Sequence, residues 1–483
     1  MAKAIMIQGT GSNVGKSMMV AGLARAAVRR GIKVAPFKPQ NMSNNAAVTQ
    51  CGGEIGRAQA LQALAAGIEP SVDMNPVLLK PESETGAQVI VQGKWTGTIR
   101  AFGYTDAKPK LLSKVMDSFH RLAKTTDLIL VEGAGSPAEI NLRNGDIANM
   151  GFAVAANVPV VLTGDIDRGG VIAQLVGTHS ILSDTDRNQI VAFCVNKFRG
   201  DVSLFIDGVT EIEKRTNWPC LGVIPWFNDA ALLPAEDALD VRSMGTGAFK
   251  VVVPRLSRIA NFDDLDPLAA DPSVQLQFID AGHPLPGDAD LIILCGTKST
   301  LEELRFFKAQ GWDVDLMAHV RRGGAVVGLC GGYQMLGKAV HDPDGIEGQA
   351  GTEVGLGLLD IETVMTPQKK VKRVKGYDIQ NNNTVAGYEI HIGETTGPDC
   401  LRPWLMVDQR AVGAVSENQK VRGCYVHGLF GSDEFRTCFL NALGAKANIF
   451  NHFSNIERTL DNLADHLENY MDVEKLLELS GPV

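Results

Sequence analysis

The sequence predicts an α/β protein whose first half is a doubly wound parallel sheet, followed by a second α/β domain. Two observations predict it. Short apolar strands alternate with helical segments along both halves of the chain. Each half also contains a glycine-rich turn between a buried strand and a helix, first in AKAIMIQ-GTGSNVGKS-MMVAGLARAAVRR and later in VVGLCGGYQML.

Length and composition restrict the class of protein. A chain of 483 residues, 45% of them apolar, is long enough for two or three domains with proper cores. A net charge of -9 argues against a nucleic-acid surface. No apolar run is long enough to span a membrane, and no export leader precedes the first strand. The 8 cysteines occur singly, without metal-ligand spacing, so we expect a cytoplasmic protein with reduced thiols.

Changes of pattern along the chain predict the domain boundaries. About six strands separated by helices define a first domain over residues 1–235. A mixed, acidic and glycine-bearing run predicts a linker over 236–249, and renewed strands define a second domain over 250–445. Residues 446–483 have apolar residues at helical spacing and an acidic polar face. We expect this amphipathic helical segment to dock on the protein or on a partner, and not on a membrane.

The first glycine-rich turn has the features of a phosphate-binding loop. Gly9 is followed by five residues and then by Gly15, Lys16 and Ser17, which resembles a Walker A motif with its first glycine one place early. In such a loop backbone N–H groups wrap the phosphates, the lysine reaches the β and γ oxygens, and the hydroxyl ligates Mg²⁺. The predicted ATP-binding residues are Gly9, Thr10, Gly11, Ser12, Asn13, Val14, Gly15, Lys16 and Ser17.

Two charged residues follow later strands of the same domain. Lys38 ends the second strand, where an ammonium group would stabilise the charge that develops during phosphoryl transfer to or from ATP. A solvated loop lysine is an equal alternative. Glu132 ends the strand DLILVE and precedes two glycines that leave room for a ligand. We expect Glu132 and Ser17 to bind Mg²⁺, in preference to a Glu132 that faces solvent.

Polar residues beyond other strand ends are candidates for binding an acceptor, because ligands gather at the carboxyl ends of parallel strands. The candidates are Asn41 in the amide-rich stretch KPQNMSNNAA, Asp146, Asp165, Asp167 and Arg168. Each of them could equally cap a helix or stabilise a turn. Asn196 and Lys197, at the end of another strand, are candidates for contacting adenine.

The second glycine-rich turn predicts a nucleophile. Cys330 stands between a strand and a helix with glycines on both sides, as in a nucleophile elbow. The N-terminus of the helix favours the thiolate over the thiol. The alternative is a buried strand cysteine beside packing glycines, but the histidines downstream favour the nucleophile. Cys295 is a weaker candidate because its turn lacks a glycine on the N-terminal side.

A base and two oxyanion donors are predicted around Cys330. His427 ends the strand of VRGCYVHGLF and is the predicted base, whereas His391 lies within a strand and is expected to be a core residue. The turn at Gly296 follows the strand before the elbow. Its backbone N–H and that of Gly331 are the predicted oxyanion donors.

The two halves together predict amide formation. A thiol and a histidine can hydrolyse glutamine through a thioester and release ammonia. A phosphate loop can phosphorylate a carboxylate, which makes its carbon electrophilic. Ammonia that displaces the phosphate would then yield an amide.

Over nearly its whole length, the chain resembles the cobyric acid synthase family, which consists of glutamine-dependent enzymes of cobalamin synthesis. The motifs, in the family's order, are GTGSNVGKS, KPQNMSNN, VEGAGSPAEINL, GDIDRGG, NKFRGD, VPRLSRIANFDDLDPL, GTKST, GLCGGYQML, GYEIHIG and YVHGLF. The resemblance implies a dethiobiotin-synthetase-like P-loop domain and a class I glutamine amidotransferase domain, with Cys330 as nucleophile and His427 as base. It also implies amidation of the b, d, e and g carboxylates of adenosylcobyrinic acid a,c-diamide to adenosylcobyric acid, consuming ATP and glutamine.

Two residues depart from related patterns, and two alternatives follow. Triad amidotransferases carry a Glu two places after the base, where this chain has Leu429, and Cys295 stands where the family usually has proline. The sister enzyme that amidates the a and c carboxylates is the nearest alternative, but it differs at the segment that begins with Pro39 and Gln40. A regulatory P-loop ATPase joined to a non-catalytic amidotransferase-like module is an alternative of another class. Cys330, His427 and Gly11, which replaces the signature lysine of such ATPases, argue against it.

Overall fold

Two parallel sheets, one in each of two units, form the framework of the computed structural model. The structure describes residues 2–81, 86–234 and 243–483. The first unit contains residues 1–43, 53–233 and 456–483, and the second contains residues 44–52 and 234–455. The predicted α/β class is therefore confirmed, although both units are discontinuous in sequence.

The main sheet of the first unit has six parallel strands. One short antiparallel strand, Gly481–Pro482, pairs with the first residues of the strand Lys3–Gly9. In spatial order the parallel strands are Cys220–Pro225, Ile190–Phe198, Val160–Asp165, Lys3–Gly9, Leu128–Glu132 and Val34–Phe37. Alternate residues of the strand Lys3–Gly9 pack into two different apolar clusters: Ala4 and Met6 in one, Ile5 and Ile7 in the other. Because successive side chains of a strand point to opposite faces, both faces of this sheet are covered, as in a doubly wound fold.

A second, four-stranded sheet in this unit was not predicted. Its strands are Gln40–Met42, Val77–Pro81, Gly86–Val91 and Lys94–Arg100, and a short strand Glu54–Gly56 lies between the first two in sequence. The helices of the unit are Lys16–Arg29, Arg57–Ala65, Ala101–Ala123, Met150–Ala155, Val171–Ile181, Asp184–Arg187, Ile206–Thr216, the part of His452–Tyr470 from residue 456 onward, and Val473–Leu479. The amide-rich stretch after Lys38 thus enters a sheet and is not a solvated loop.

The C-terminal segment packs on the helix that follows the phosphate loop. Leu463 and Leu467 lie so close to Gly22 that a Cβ there would approach them within 3 Å, at 2.9 and 2.6 Å. Arg29 of the same helix forms an ion pair of 2.5 Å with Asp465. The last strand, Gly481–Pro482, pairs with the beginning of the first strand of the chain. The partner of the predicted amphipathic helix is therefore the first unit itself.

The second unit is built around five parallel strands and one antiparallel edge strand. In spatial order they are Val274–Ile279, Phe249–Pro254, Leu291–Leu294, Ala325–Leu329, Val421–Cys424 and the antiparallel Ala414–Val415. Two further sheets contain Arg410–Val412, Leu405–Val407, Lys370–Asp378, Thr384–His391 and Val426–His427, and Gly351–Val354, Ala339–Asp342, Glu362–Val364 and Glu394–Thr396. Short strands are Ala46–Val48 and the pair Ile259–Ala260 and Gly296–Thr297, and the helices are Asp266–Ala269, Thr300–Ala309, Trp312–Arg321, Gly331–Met335 and Asp433–Ala442.

The division between the units falls within the region predicted as the end of the first domain. Leu233 is assigned to the first unit and Pro234 to the second. Of the predicted linker 236–249, residues 236–242 lie outside the described residues. Met244 already pairs with Leu276 of the second unit's sheet, and Phe249 begins a strand of that sheet.

Candidate active sites

The phosphate loop is held in shape by the neighbouring strand Ile190–Phe198. Gly15 has a φ of 97°, a left-handed conformation that favours glycine. A Cβ at Gly15 would lie 2.4 Å from Nδ2 of Asn196, which donates a hydrogen bond to the Val14 carbonyl at 2.9 Å. Lys197 donates to the carbonyl of Asn13 and, at 3.0 Å, to Asp165. Asn196 and Lys197, which the sequence suggested for adenine, therefore contact the loop itself.

One buried carboxylate collects the polar groups beside this loop. Oε1 of Glu132 accepts hydrogen bonds from Ser17 Oγ at 2.8 Å and from Lys38 Nζ at 2.6 Å. Its other oxygen accepts from Gln62 at 2.6 Å and from Gln59 at 3.4 Å. Lys38 is only 5% exposed and Glu132 1%, so Lys38 is not a solvated loop lysine. A buried charge is stable only when it is paired in this way.

Lys16 lies where a phosphate-binding lysine is expected. Its Nζ donates hydrogen bonds to the carbonyl oxygens of Gly11 at 3.0 Å and Gly135 at 3.3 Å. Gly135 belongs to the turn that follows Glu132, so the loop and the strand-end turn meet at this ammonium. Both predicted glycine-rich segments of the first unit therefore lie at one site.

The donors beside Glu132 fit a magnesium ion. The Ser17 hydroxyl and a Glu132 carboxylate oxygen are hard oxygen ligands, which Mg²⁺ prefers. Among the residues that the structure describes, no group of three or more His, Cys, Asp and Glu side chains has the arrangement of a complete metal site. A magnesium ion here would therefore take its remaining ligands from water and phosphate oxygens.

The five residues suggested for the acceptor have different surroundings. Asn41 is buried and its amide donates to Gln59 at 3.0 Å, which joins it to the Glu132 cluster. Asp146 accepts backbone N–H bonds around the start of the helix Met150–Ala155, including that of Gly151 at 2.8 Å. Asp165 is paired with Lys197. Asp167 and Arg168 are exposed, and Asp167 forms an ion pair with Arg199 at 2.5 Å.

Cys330 has the geometry of a nucleophile elbow. It joins the strand Ala325–Leu329 to the helix Gly331–Met335 with φ 53° and ψ -111°, a strained conformation for a residue with a side chain. The two glycines after it permit a close approach to the neighbouring strand and turn. A Cβ at Gly332 would lie 2.0 Å from the Leu294 carbonyl, and one at Gly331 would lie 2.5 Å from Thr297 Cγ2.

His427 is fully buried and is oriented by an aspartate. Its Nδ1 lies 2.7 Å from Oδ2 of Asp264, and the other oxygen of that carboxylate accepts the Gly428 N–H at 2.5 Å. Burial lowers the pKa of the His427 imidazole, but the Asp264 carboxylate and the Cys330 side chain together raise that pKa above its ordinary value. Asp264 thus supplies the group that orients His427. The sequence did not identify this group, because Leu429 occupies the position of the usual Glu.

Cys330, His427 and Gly296 converge. A Cβ at Gly296 would lie 3.3 Å from Cε1 of His427 and 3.6 Å from Cβ of Cys330. In this structure the Cys330 thiol donates to the Ile390 carbonyl at 3.4 Å, and Nε2 of His427 lies 3.2 Å from the side-chain nitrogen of Asn261. The two predicted oxyanion residues, Gly296 and Gly331, thus lie beside the thiol and the imidazole, on the two segments that flank them.

The competing histidine and cysteine have core environments. The His391 ring stacks on Tyr425 with 3.7 Å between ring centroids, and burial lowers the pKa of His391 to about 3. Burial raises the pKa of the Cys295 thiol well above its ordinary value, so Cys295 stays protonated.

Four site residues were missed by sequence reasoning. Gln59 and Gln62 lie on the helix Arg57–Ala65, and helical spacing alone does not single out two glutamines. Asn261 and Asp264 lie in the polar stretch PRLSRIANFDDLDPL, far from Cys330 in sequence. The only available signal was the concentration of polar and acidic residues just after a strand.

Two family models match the chain. The CobQ/CobB/MinD/ParA nucleotide binding domain matches residues 5–241, and the CobB/CobQ-like glutamine amidotransferase domain matches residues 250–435. Three similar proteins are cobyric acid synthases. That of a Ruegeria species is 61% identical over 478 residues, and that of Rhodobacter capsulatus is 61% identical over 480 residues, in each case 99% of both chains. That of Rhizobium johnstonii is 57% identical over 484 residues, 100% of this chain and 99% of the relative.

Fold, sites and relatives define a glutamine-hydrolysing carbon–nitrogen ligase, in which a nucleotide-binding unit and a glutamine amidotransferase unit share one chain. The chain belongs to the cobyric acid synthase family. In the part of the chain that the structure describes, no helix is both long and apolar enough to cross a bilayer.

Proposed function

We propose that this ligase amidates the b, d, e and g carboxylates of adenosylcobyrinic acid a,c-diamide, using ATP and the ammonia of glutamine. Support for the acceptor comes from its relatives, which are cobyric acid synthases that match the whole chain at 57–61% identity. Support for the chemistry comes from one observation above all. A single chain contains both a thiol–imidazole–carboxylate set and a phosphate loop with a buried carboxylate.

The second unit would release ammonia. The Cys330 thiol gives its proton to Nε2 of His427, and the sulfur attacks the side-chain carbonyl carbon of glutamine. Backbone N–H groups of Gly296 and Gly331 stabilise the oxyanion. The imidazolium, stabilised by Asp264, protonates the leaving nitrogen, so ammonia departs and a thioester remains. Water, deprotonated by His427, then hydrolyses the thioester to glutamate and restores the thiol.

The first unit would activate the acceptor. Backbone N–H groups of the loop from Gly9 to Ser17 bind the phosphates of ATP, and Lys16 and Lys38 place two ammonium groups beside them. An acceptor carboxylate oxygen attacks the γ-phosphorus and ADP leaves. Ammonia then attacks the carboxyl carbon, phosphate leaves, and the loss of a proton gives the amide.

Ser17 and Glu132 would hold Mg²⁺ at this site, and a bound magnesium ion neutralises charge on the phosphate oxygens. Lys38 contacts the same carboxylate oxygen as Ser17, which supports a role for its ammonium beside the transferred group. Of the five residues suggested to bind the acceptor, Asn41 has the most direct support. Its side chain is hydrogen-bonded to Gln59, which in turn is hydrogen-bonded to Glu132. Asp146, Asp165, Asp167 and Arg168 remain candidates for the outer part of the acceptor site.

Mass spectrometry of the acceptor tests the whole proposal. Purified protein is incubated with adenosylcobyrinic acid a,c-diamide, Mg-ATP and glutamine, and a parallel reaction lacks ATP. We expect up to four successive carboxyl-to-amide conversions, each lowering the mass by about 1 Da, and none without ATP. Conversion of the a and c carboxylates of cobyrinic acid instead would assign the activity of the sister enzyme. No conversion of either acceptor would reject the proposal.

A further inference from the structure

A cavity of about 220 Å³ lies in the second unit, apart from the thiol site. Its walls come mainly from the turn after the strand Lys370–Asp378, the turn before the strand Val421–Cys424, and the helix Asp433–Ala442. The described residues that line it include neither Cys330 nor His427. The cavity is smaller than those that hold drug-sized ligands, so it suits a molecule of about the size of an amino acid.

The central sheet of the second unit separates this cavity from the helix that follows Cys330. On the strand Val421–Cys424, a Cβ at Gly423 would lie 2.4 Å from the ring of Tyr333, a residue of that helix. Successive side chains of a strand point to opposite faces of the sheet. Arg422 therefore points away from the helix, and it lines the cavity.

The guanidinium of Arg422 has no counter-ion in the part of the chain that the structure describes. Its carbon lies 5.6 Å from the ring centroids of both Trp404 and Phe439, within the range of cation–π contacts. Its Nη2 donates a hydrogen bond to the Gln419 carbonyl at 2.9 Å. Burial lowers the pKa of this guanidinium. Because a partly buried cation without a counter-ion is costly, an anion that enters the cavity would be stabilised there.

Two more charged residues line the cavity. Asp378 is 2% exposed, and its two carboxylate oxygens accept the backbone N–H groups of Asn381 and Asn383, each at 2.8 Å. An ionised carboxylate has about four lone-pair sites, so Asp378 can accept further donors. Lys420 is exposed at the rim. None of the three charged groups is ion-paired with another described residue, so the wall offers two cations and one anion to a ligand.

We propose that this cavity is a second amino-acid site, which binds a dicarboxylic α-amino acid such as glutamate. One carboxylate of the ligand pairs with the planar fork of Arg422, which matches two carboxylate oxygens. The other carboxylate pairs with Lys420, and the ammonium group donates to Asp378. The ligand thus carries the opposite of each charge on the wall. The site lies outside the machinery of the proposed function, although hydrolysis of glutamine at Cys330 would itself release glutamate.

Calorimetric titration of the full-length protein with L-glutamate tests the proposal. The thiol site is first blocked with 6-diazo-5-oxo-L-norleucine, a glutamine analogue that alkylates nucleophilic thiols, and peptide mass spectrometry verifies that Cys330 is modified. We expect one glutamate to bind per chain. Glutarate lacks the ammonium group and should bind about 10-fold more weakly, since it leaves the buried Asp378 without its partner. Glutamine lacks only the charge that faces the exposed Lys420 and should bind about 3-fold more weakly.

Two variants locate the site. Arg422→Gln removes the unpaired cation and should weaken glutamate binding about 30-fold. Asp378→Asn should abolish the preference for glutamate over glutarate, a change of specificity that general loosening of the unit would not produce. Arg305→Gln is the matched control, because Arg305 lies in the same unit, outside the cavity, and is ion-paired with Glu353 at 2.5 Å. It should bind glutamate like the wild type. The near-UV circular dichroism and Tm of each variant verify that it is folded.

Three results would overturn the proposal. Glutamate that does not saturate the blocked wild-type protein would reject the site. Equal affinities for glutamate and glutarate in the wild type would reject the role of Asp378. Inorganic phosphate that bound as tightly as glutamate would show a simple anion site instead of an amino-acid site.

The same experiment keeps this proposal separate from the proposed function. If the diazo reagent does not modify Cys330, the assigned nucleophile is wrong. The difference in glutamate affinity between unmodified wild type and unmodified Arg422→Gln still decides whether the cavity binds an amino acid.

Discussion

The two units assemble their reacting groups over very different distances along the chain. In the first unit nine consecutive residues, from Gly9 to Ser17, form the phosphate loop. Its partner Lys38 directly follows one strand of the main sheet, and its partner Glu132 ends the neighbouring strand. In the second unit Asp264 and His427 are 163 residues apart, and Asn261 and His427 are 166 apart. A short motif specifies the first site locally, whereas the second exists only after its whole unit has folded.

This difference predicts different consequences of substitution. A change in the phosphate loop should stop acceptor activation and leave the thiol site intact. A change in the second unit should remove glutamine use and leave activation intact. The following experiments test that separation, beginning with the largest expected effect.

Replacing the nucleophile should have the largest effect. Cys330→Ala removes the atom that forms the thioester, so glutamine-dependent amidation should fall about 10⁴-fold. Activity with a high concentration of free ammonia should persist. Both rates are measured by mass spectrometry of the acceptor, with the exposed Cys438→Ala as control. Loss of the ammonia-dependent rate as well would show that the two sites are not separable.

Replacing the phosphate-loop lysine should affect both nitrogen donors equally. Lys16→Ala removes an ammonium from the phosphates, and amidation should fall about 10³-fold with glutamine or with ammonia. The exposed Lys3→Ala, on the strand before the loop, should retain wild-type rates. A variant that lost only glutamine-dependent amidation would contradict the assigned role of Lys16.

Shortening one buried side chain of the C-terminal helix should destabilise the first unit alone. Leu460 is fully buried in the cluster that contains Val20 and Leu23, so Leu460→Ala should lower the free energy of unfolding of this unit by about 3 kcal/mol. Hydrogen exchange of strand peptides at increasing urea concentrations reports each unit separately. Leu204→Ala, at a site 81% exposed in the same unit, is the control. Equal loss of protection in both units would refute the local effect.

Replacing the orienting aspartate should give a smaller loss. Asp264→Asn removes the charge that stabilises the His427 imidazolium, and glutamine hydrolysis should fall about 10²-fold. Ammonia-dependent amidation is the internal control and should be unchanged. Full glutaminase activity in this variant would show that His427 needs no carboxylate.

The Asp264→Asn variant should also differ from the wild type in how its stability depends on pH. Asp264 raises the pKa of folded His427 above its unfolded value of about 6.5. The stability from this pair is therefore complete below that value and is lost as pH rises through the folded pKa. The Tm of wild type should exceed that of Asp264→Asn most near pH 6, and the gap should narrow in alkaline buffer. A gap that widened with pH would contradict the assigned ion pair.

The same contrast explains which features the sequence predicted. The phosphate loop, Glu132 and the elbow at Cys330 were predictable because turn chemistry and neighbouring strands specify them locally. The contacts of Asp264 and Asn261 with His427 were not, because they depend on pairing with a residue more than 160 positions away. The four-stranded sheet after Lys38 was missed because its first strand, Gln40–Met42, is short and polar. The packing of the last helix on the helix after the phosphate loop required knowledge of the facing surface, which a single amphipathic pattern does not contain.

The pairing of the last strand with the first has a consequence for synthesis on the ribosome. The second unit is complete once residue 455 has emerged, but the first unit still lacks residues 456–483 at that moment. Until they arrive, the apolar face of the helix Lys16–Arg29, including Val20, Leu23 and Ala27, lacks the part of its cover that these last residues supply. The nascent chain therefore exposes part of an apolar surface until residues 456–483 have been synthesised, and this is the kind of surface that chaperones bind.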